Sequence, residues 1–109
     1  MIVKLSFEFA LDIIEFTELL EEKRKYVIAN QILKSRTSIG ANIREAQNAE
    51  SKIDFIHKFK IAAKEADESE YWLLLCKFAR NYPESEPLLN KLQEMKRIIS
   101  KIIITSKAR

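Results

Sequence analysis

A chain with one glycine, Gly40, and two prolines, Pro83 and Pro87, in 109 residues has very few places to turn. Tight turns and hairpins use those residues to reach positive φ or to fix φ, so their scarcity points to long helices joined by few connections. The prolines fall together in Tyr82-Pro83-Glu84-Ser85-Glu86-Pro87, which leaves long uninterrupted stretches on either side. Hydrophobic residues make up 47% and charged residues 32%, enough for a core and a solvated surface. This length suits one domain over residues 1–109, because a second core would have too few residues.

Apolar residues recur at helical spacing. At 100° per residue, Phe9, Ile13, Phe16 and Leu20 share one arc of a first helix over residues 4–22, while Glu8, Asp12, Glu15 and Glu22 point away. The run Glu21-Glu22-Lys23-Arg24-Lys25 breaks that pattern and marks the first connection. A second helix over 25–48 aligns Ile28, Ile32, Ile39, Ile43 and Ala46. Gly40 sits inside it at a cost of about 1 kcal/mol relative to alanine, so a close helix approach is expected there. Ser51, three residues before Asp54, is the expected N-cap of a third helix over 52–81, with Phe55, Ile56, Phe59, Ala63, Ala66, Leu73 and Leu74 as its stripe. Tyr82-Pro83 ends that helix, and Ser85 with Pro87 opens a fourth along Leu88, Leu92, Met95, Ile99, Ile102 and Ile103. The expected fold is all-α, an antiparallel up-down-up-down four-helix bundle.

Several chemistries lack their residues. His57 is the only histidine and Cys76 the only cysteine, which leaves no Ser-His-Asp arrangement, no His-rich metal site and no intramolecular disulfide. His57 is expected at the surface, and Cys76 as a small buried hydrophobe. Glu45, Glu65 and Glu68 could imitate di-iron carboxylates, but such sites need Glu-x-x-His pairs. Gly40 alone cannot form a phosphate loop. No catalytic residue, cofactor, metal or small-molecule substrate is expected, and the chain is expected not to be an enzyme. No signal peptide is recognisable, and apolar runs such as Leu73-Leu74-Leu75-Cys76 are far short of the roughly 20 residues of a membrane span, so a cytoplasmic protein without membrane contact is expected.

Charge is unevenly placed. In residues 1–22 Lys4 stands alone against Glu8, Asp12, Glu15, Glu18, Glu21 and Glu22, a net −5. In residues 87–109 Lys91, Lys96, Arg97, Lys101, Lys107 and Arg109 stand against Glu94, a net +5. Either the end helices lie side by side and attract, or the basic end offers a face to nucleic acid. On the second reading Lys34, Arg36 and Arg44, outward on the second helix, and Arg97 and Lys101, outward on the fourth, are the candidate phosphate contacts.

Ser35, Ser38, Asn42 and Glu45 fall within about 80° of one another beside the isoleucine stripe of the second helix. They form either a solvated flank or a partly buried strip that fixes which helix faces which. The same segment carries a resemblance. Gln31, Ser35, Thr37-Ser38-Ile39-Gly40-Ala41-Asn42-Ile43-Arg44-Glu45-Ala46, Asp54-Phe55-Ile56, Phe59 and Ala63-Lys64-Glu65-Ala66-Asp67-Glu68-Ser69-Glu70-Tyr71-Trp72-Leu73 are similar to the four-helix bundle proteins known as 23S ribosomal RNA intervening-sequence proteins. The likeness covers residues 25–78, with Ser-Ile-x-x-Asn-Ile-x-Glu as its most specific part. It departs from the family at Gly40, where proline can occur, and at Ala46, where glycine is frequent. The resemblance implies a ring-like homo-oligomer, a pentamer. It also implies kinship with the accessory bundle protein of diversity-generating retroelements, which is thought to bind nucleic acid, and it brings no catalytic residues with it.

The third helix points the same way on its own residues. Tyr71 and Phe78 fall on its flank, and Trp72 and Leu75 well round its back, so apolar groups surround it. They fit an interface with a second copy, or an aromatic cluster wrapped by the N-terminal residues. The functional expectation is a homo-oligomer that binds RNA or DNA through basic surface residues. The alternative is a protein-protein interaction module or accessory subunit for a partner enzyme, with no nucleic-acid binding.

Overall fold

A computed structural model describes residues 1–35 and 38–109. Its elements are α1 (Ile2–Glu22), α2 (Tyr26–Ala46), α3 (Lys52–Phe78) and α4 (Glu86–Ala108). There is no strand among the described residues. Each stripe expected of the sequence forms core: Phe9, Ile13, Phe16 and Leu20 from α1, Ile32, Ile39, Ile43 and Ala46 from α2, Phe59, Ala66 and Leu73 from α3, and Leu88, Leu92, Met95 and Ile99 from α4 are all buried. Cys76 is buried with them, and His57 is exposed.

α1 packs on α2 and α4, and α3 packs on α2 and α4. Among the described residues the backbone of α1 does not come close to that of α3, nor that of α2 to that of α4, so the helices stand at the corners of a square around the shared core. Polar pairs fix the register. Between α2 and α3 they join Glu45 to Lys58 and Ser35 to Glu68, and between α3 and α4 they join Asp67 to Lys96 and Lys77 to Glu86. The body measures 47 × 20 × 19 Å.

The first connection is a helix stop made without glycine. Arg24 takes a left-handed φ of 62°, its N–H donates to the Glu21 carbonyl at 2.9 Å, and the Lys25 N–H donates to the Leu20 carbonyl at 2.8 Å. This is the paired bonding of a Schellman motif, in which glycine usually holds the left-handed position. At the second connection the Ser51 hydroxyl accepts the Asp54 N–H at 3.0 Å, the expected N-cap.

Some local features differ from expectation. α3 ends at Phe78 rather than near 81, because Ala79 is extended with ψ 148° and Asn81 turns left-handed with φ 63° ahead of Pro83. Ser85 precedes α4 but does not cap it through its side chain. Its buried hydroxyl donates instead to the Leu73 carbonyl at 3.0 Å, tying the loop to α3. Leu74 is 38% exposed, and Ser69 takes a core position on α3. No close approach explains Gly40, since a Cβ there would meet no atom within 4 Å.

Candidate functional site

The acidic and basic end helices do meet. Lys91 of α4 donates to Asp12 of α1 at 2.6 Å, and that hydrogen bond holds its pKa above the ordinary lysine value. Lys96 pairs with Asp67 at 2.8 Å and Glu70 at 3.0 Å on α3. Burial works against its charge, yet these bonds keep its pKa raised. Glu70 also accepts from Gln93.

The basic residues singled out in the sequence fall into separate groups. Arg97 and Lys101 lie together on the outer side of α4 along an open cleft of about 430 Å³, with Gln93, Lys96, Ser100, Ile104 and Thr105. Neither has an ion-pair partner among the described residues. Lys34 and Arg44 are exposed on α2, which stands diagonally opposite α4, so one chain does not gather these residues into a single patch. Arg44 borders a different cleft, of about 280 Å³, with Val3, Ser6, Phe7, Ala10, Gly40 and Ala41. Arg36 lies outside the described residues.

The polar strip of α2 divides. Ser35 is fully buried, and its hydroxyl donates to Glu68 Oε1 on α3 at 3.2 Å. Asn42 is half-buried and donates within its own helix, to the Ser38 carbonyl at 2.7 Å. Ser38 is half-buried, and Glu45 is exposed and paired with Lys58 at 3.0 Å.

Apolar side chains form an outer ridge on α3: Tyr71 is 58% exposed and Phe78 77%, with Leu74 and Leu75 between them. Trp72 does not belong to the exposed part, since it packs against the core with its indole Nε1 buried and unpartnered among the described residues. The sequence reading missed a second stripe. Phe7, Leu11 and Ile14, spaced i, i+4, i+7, stand exposed on the outside of α1, a pattern that the helical spacing itself could have shown.

Reactive chemistry has little to work with. Burial raises the Cys76 thiol to about 11, far from the thiolate a nucleophile needs. Among the described residues no group of three His, Cys, Asp or Glu side chains could hold a metal ion. Among the described residues no helix is long and apolar enough to cross a membrane.

The class defined by these features is an all-helical, four-helix protein with apolar ridges and basic strips on its outer faces. The chain belongs to the 23S rRNA-intervening sequence protein family, whose match spans residues 1–102 and so extends well beyond the 25–78 segment that carries the sequence resemblance. The chain is also similar to the crystal structure of a protein of unknown function from the S23 ribosomal protein family, from Bacteroides thetaiotaomicron VPI-5482. The two are 42% identical with a TM-score of 0.89, over 94% of this chain and 98% of that one. No curated protein matches.

Proposed function

We propose that this protein is a non-enzymatic, cytoplasmic homo-oligomer, one up-down-up-down bundle per chain, that binds RNA or DNA through basic residues repeated around the assembly. The antiparallel arrangement is supported by the order of the cross-helix pairs, in which partners descend along one helix as they ascend along the next. It is supported too by Lys25 of the first connection, whose Nζ lies 4.8 Å from the ring centre of Tyr82 in the last. The observation that carries self-association is the exposed ridge of Tyr71, Leu74, Leu75 and Phe78, since exposed apolar patches of this kind mark interaction surfaces. A closed ring, the pentamer implied by the family resemblance, would repeat Arg97 and Lys101 around its circumference. Linked weak phosphate contacts then gain affinity through effective concentration.

Two measurements test this. Light scattering behind a sizing column is expected to give a multiple of the chain mass, and a monomer at micromolar concentration would remove the ring. Fluorescence anisotropy with labelled RNA and DNA is expected to show binding that weakens steeply with salt. An oligomer that binds neither would favour the second reading, a protein-partner module using the α3 ridge.

A further inference from the structure

We infer that copies of this chain join head to tail, the α3 ridge of Tyr71, Leu75 and Phe78 on one copy seating on the α1 stripe of Phe7, Leu11 and Ile14 on the next. This rests on the self-association proposed above and names the second surface that such an assembly needs.

The chain exposes two apolar rows, and they match in length. Tyr71, Leu75 and Phe78 stand out from α3 at i, i+4, i+7, and Phe7, Leu11 and Ile14 stand out from α1 at the same spacing. Single exposed apolar residues need no explanation, but a row of three along one side of a helix marks a contact surface. The two rows differ in relief. The α1 stripe borders an open cleft of about 280 Å³ in which Ala10 and Ala41 are small lining side chains, a recess suited to the aromatic groups that the ridge carries.

Charge pairs the rows with each other rather than with themselves. Apart from Lys4, the charged residues of α1 are all acidic, and Glu8, Glu15 and Glu18, exposed beside the stripe, have no ion-pair partner among the described residues. Cations stand at the ridge. Lys77 Nζ lies 5.4 Å from the ring centre of Phe78, and Lys64 and Arg80, exposed before and after the row, have no ion-pair partner among the described residues. Of the acids near the ridge, Asp67 and Glu70 are held by Lys96. Glu68 is exposed, and it faces a counterpart in Arg44, which lines the cleft beside the stripe. Stripe against stripe would set unpaired carboxylates together, and ridge against ridge would do the same with cations.

The corners occupied by the two helices make the same choice. α1 and α3 stand diagonally opposite, so an isologous contact through either row covers that row and leaves the other in water. A heterologous contact covers both rows on every copy, and it closes into a ring when the rotation between neighbours allows.

The test uses two full-length variants, F7E/L11E, which spoils the stripe, and Y71E/F78E, which spoils the ridge. All four side chains are exposed, so both variants are expected to keep the helical circular dichroism of the wild type. Serine replaces glutamate at the same positions if either does not. By light scattering behind a sizing column each variant alone is expected to fall from the wild-type mass to that of one chain. Mixed in equal amounts they are expected to give a heterodimer and nothing larger, because the intact ridge of F7E/L11E meets the intact stripe of Y71E/F78E and no second contact remains. If either variant alone keeps the wild-type mass, or the mixture stays monomeric up to millimolar protein, the head-to-tail contact is wrong and self-association stands. A monomeric wild type overturns both.

Discussion

Ser35 on α2 and Glu68 on α3 share the cross-helix hydrogen bond of the polar strip, Oγ donating to Oε1 at 3.2 Å, with Ser35 fully sealed from solvent and Glu68 exposed. The asymmetry decides what a mutation does. Ser35→Ala removes the buried donor and leaves the carboxylate in water, so it is expected to cost about 1 kcal/mol. For a chain of this size that lowers the unfolding midpoint by about 4–8 °C. Differential scanning calorimetry reads it directly, and an unchanged midpoint would mean that the bond contributes nothing net.

Gly40 costs α2 helix propensity, and no neighbour forbids a side chain there. Gly40→Ala is therefore expected to raise stability by about 1 kcal/mol in chemical denaturation. A loss of stability would mean that the cleft bordered by Val3, Phe7 and Arg44 must stay open, as it would if another molecule filled it.

Arg24 holds a left-handed conformation that disfavours any side chain. Arg24→Gly relieves that strain but frees the unfolded chain, and the balance is expected to be a gain of about 0.5–1 kcal/mol. Urea midpoints of the two proteins compared at equal slope would show it, and a lower midpoint for the glycine variant would refute the strain.

Cys76 couples stability to alkaline pH. Its folded pKa, about 11, lies above that of an unfolded thiol, so the protonated thiol favours the folded state at neutral pH. That contribution is complete below the unfolded pKa of about 8.5 and is lost as pH rises towards 11. Stability of the wild type minus that of Cys76→Ala is expected to fall across this window and to be flat below it. A difference independent of pH would contradict the buried thiol. Reaction with a disulfide reagent at pH 7 should likewise be slow until the protein unfolds.

The helical period made most of this fold legible, because Phe9, Ile13, Leu92 and Ile99 have only one way to face a core. The end of α3 was less legible: Pro83 signals a stop, but the left-handed turn at Asn81 and the extended Ala79 draw it back to Phe78. Ser85 stands in an N-cap position, yet the Leu73 carbonyl, far off in sequence, claims its hydroxyl. A single helix shows which residues share its face, but which charge of one helix meets which of the next, as Lys91 meets Asp12 and Lys96 meets Asp67, depends on cross-helix register. Lys34 and Arg44 look equivalent to Arg97 and Lys101 until the square arrangement sets α2 and α4 at opposite corners.

Trp72 is the only tryptophan, and its indole is wedged against the core while its neighbour Tyr71 stands edge-on 5.3 Å away, out on the exposed ridge. The protein thereby carries its own optical reporter. Indole emission shifts with the polarity around the ring, and Tyr71 lies within energy-transfer range of it. If a second copy covers the ridge, as proposed above, the surroundings of both rings change at once, so unlabelled protein diluted in a cuvette would report that assembly by colour.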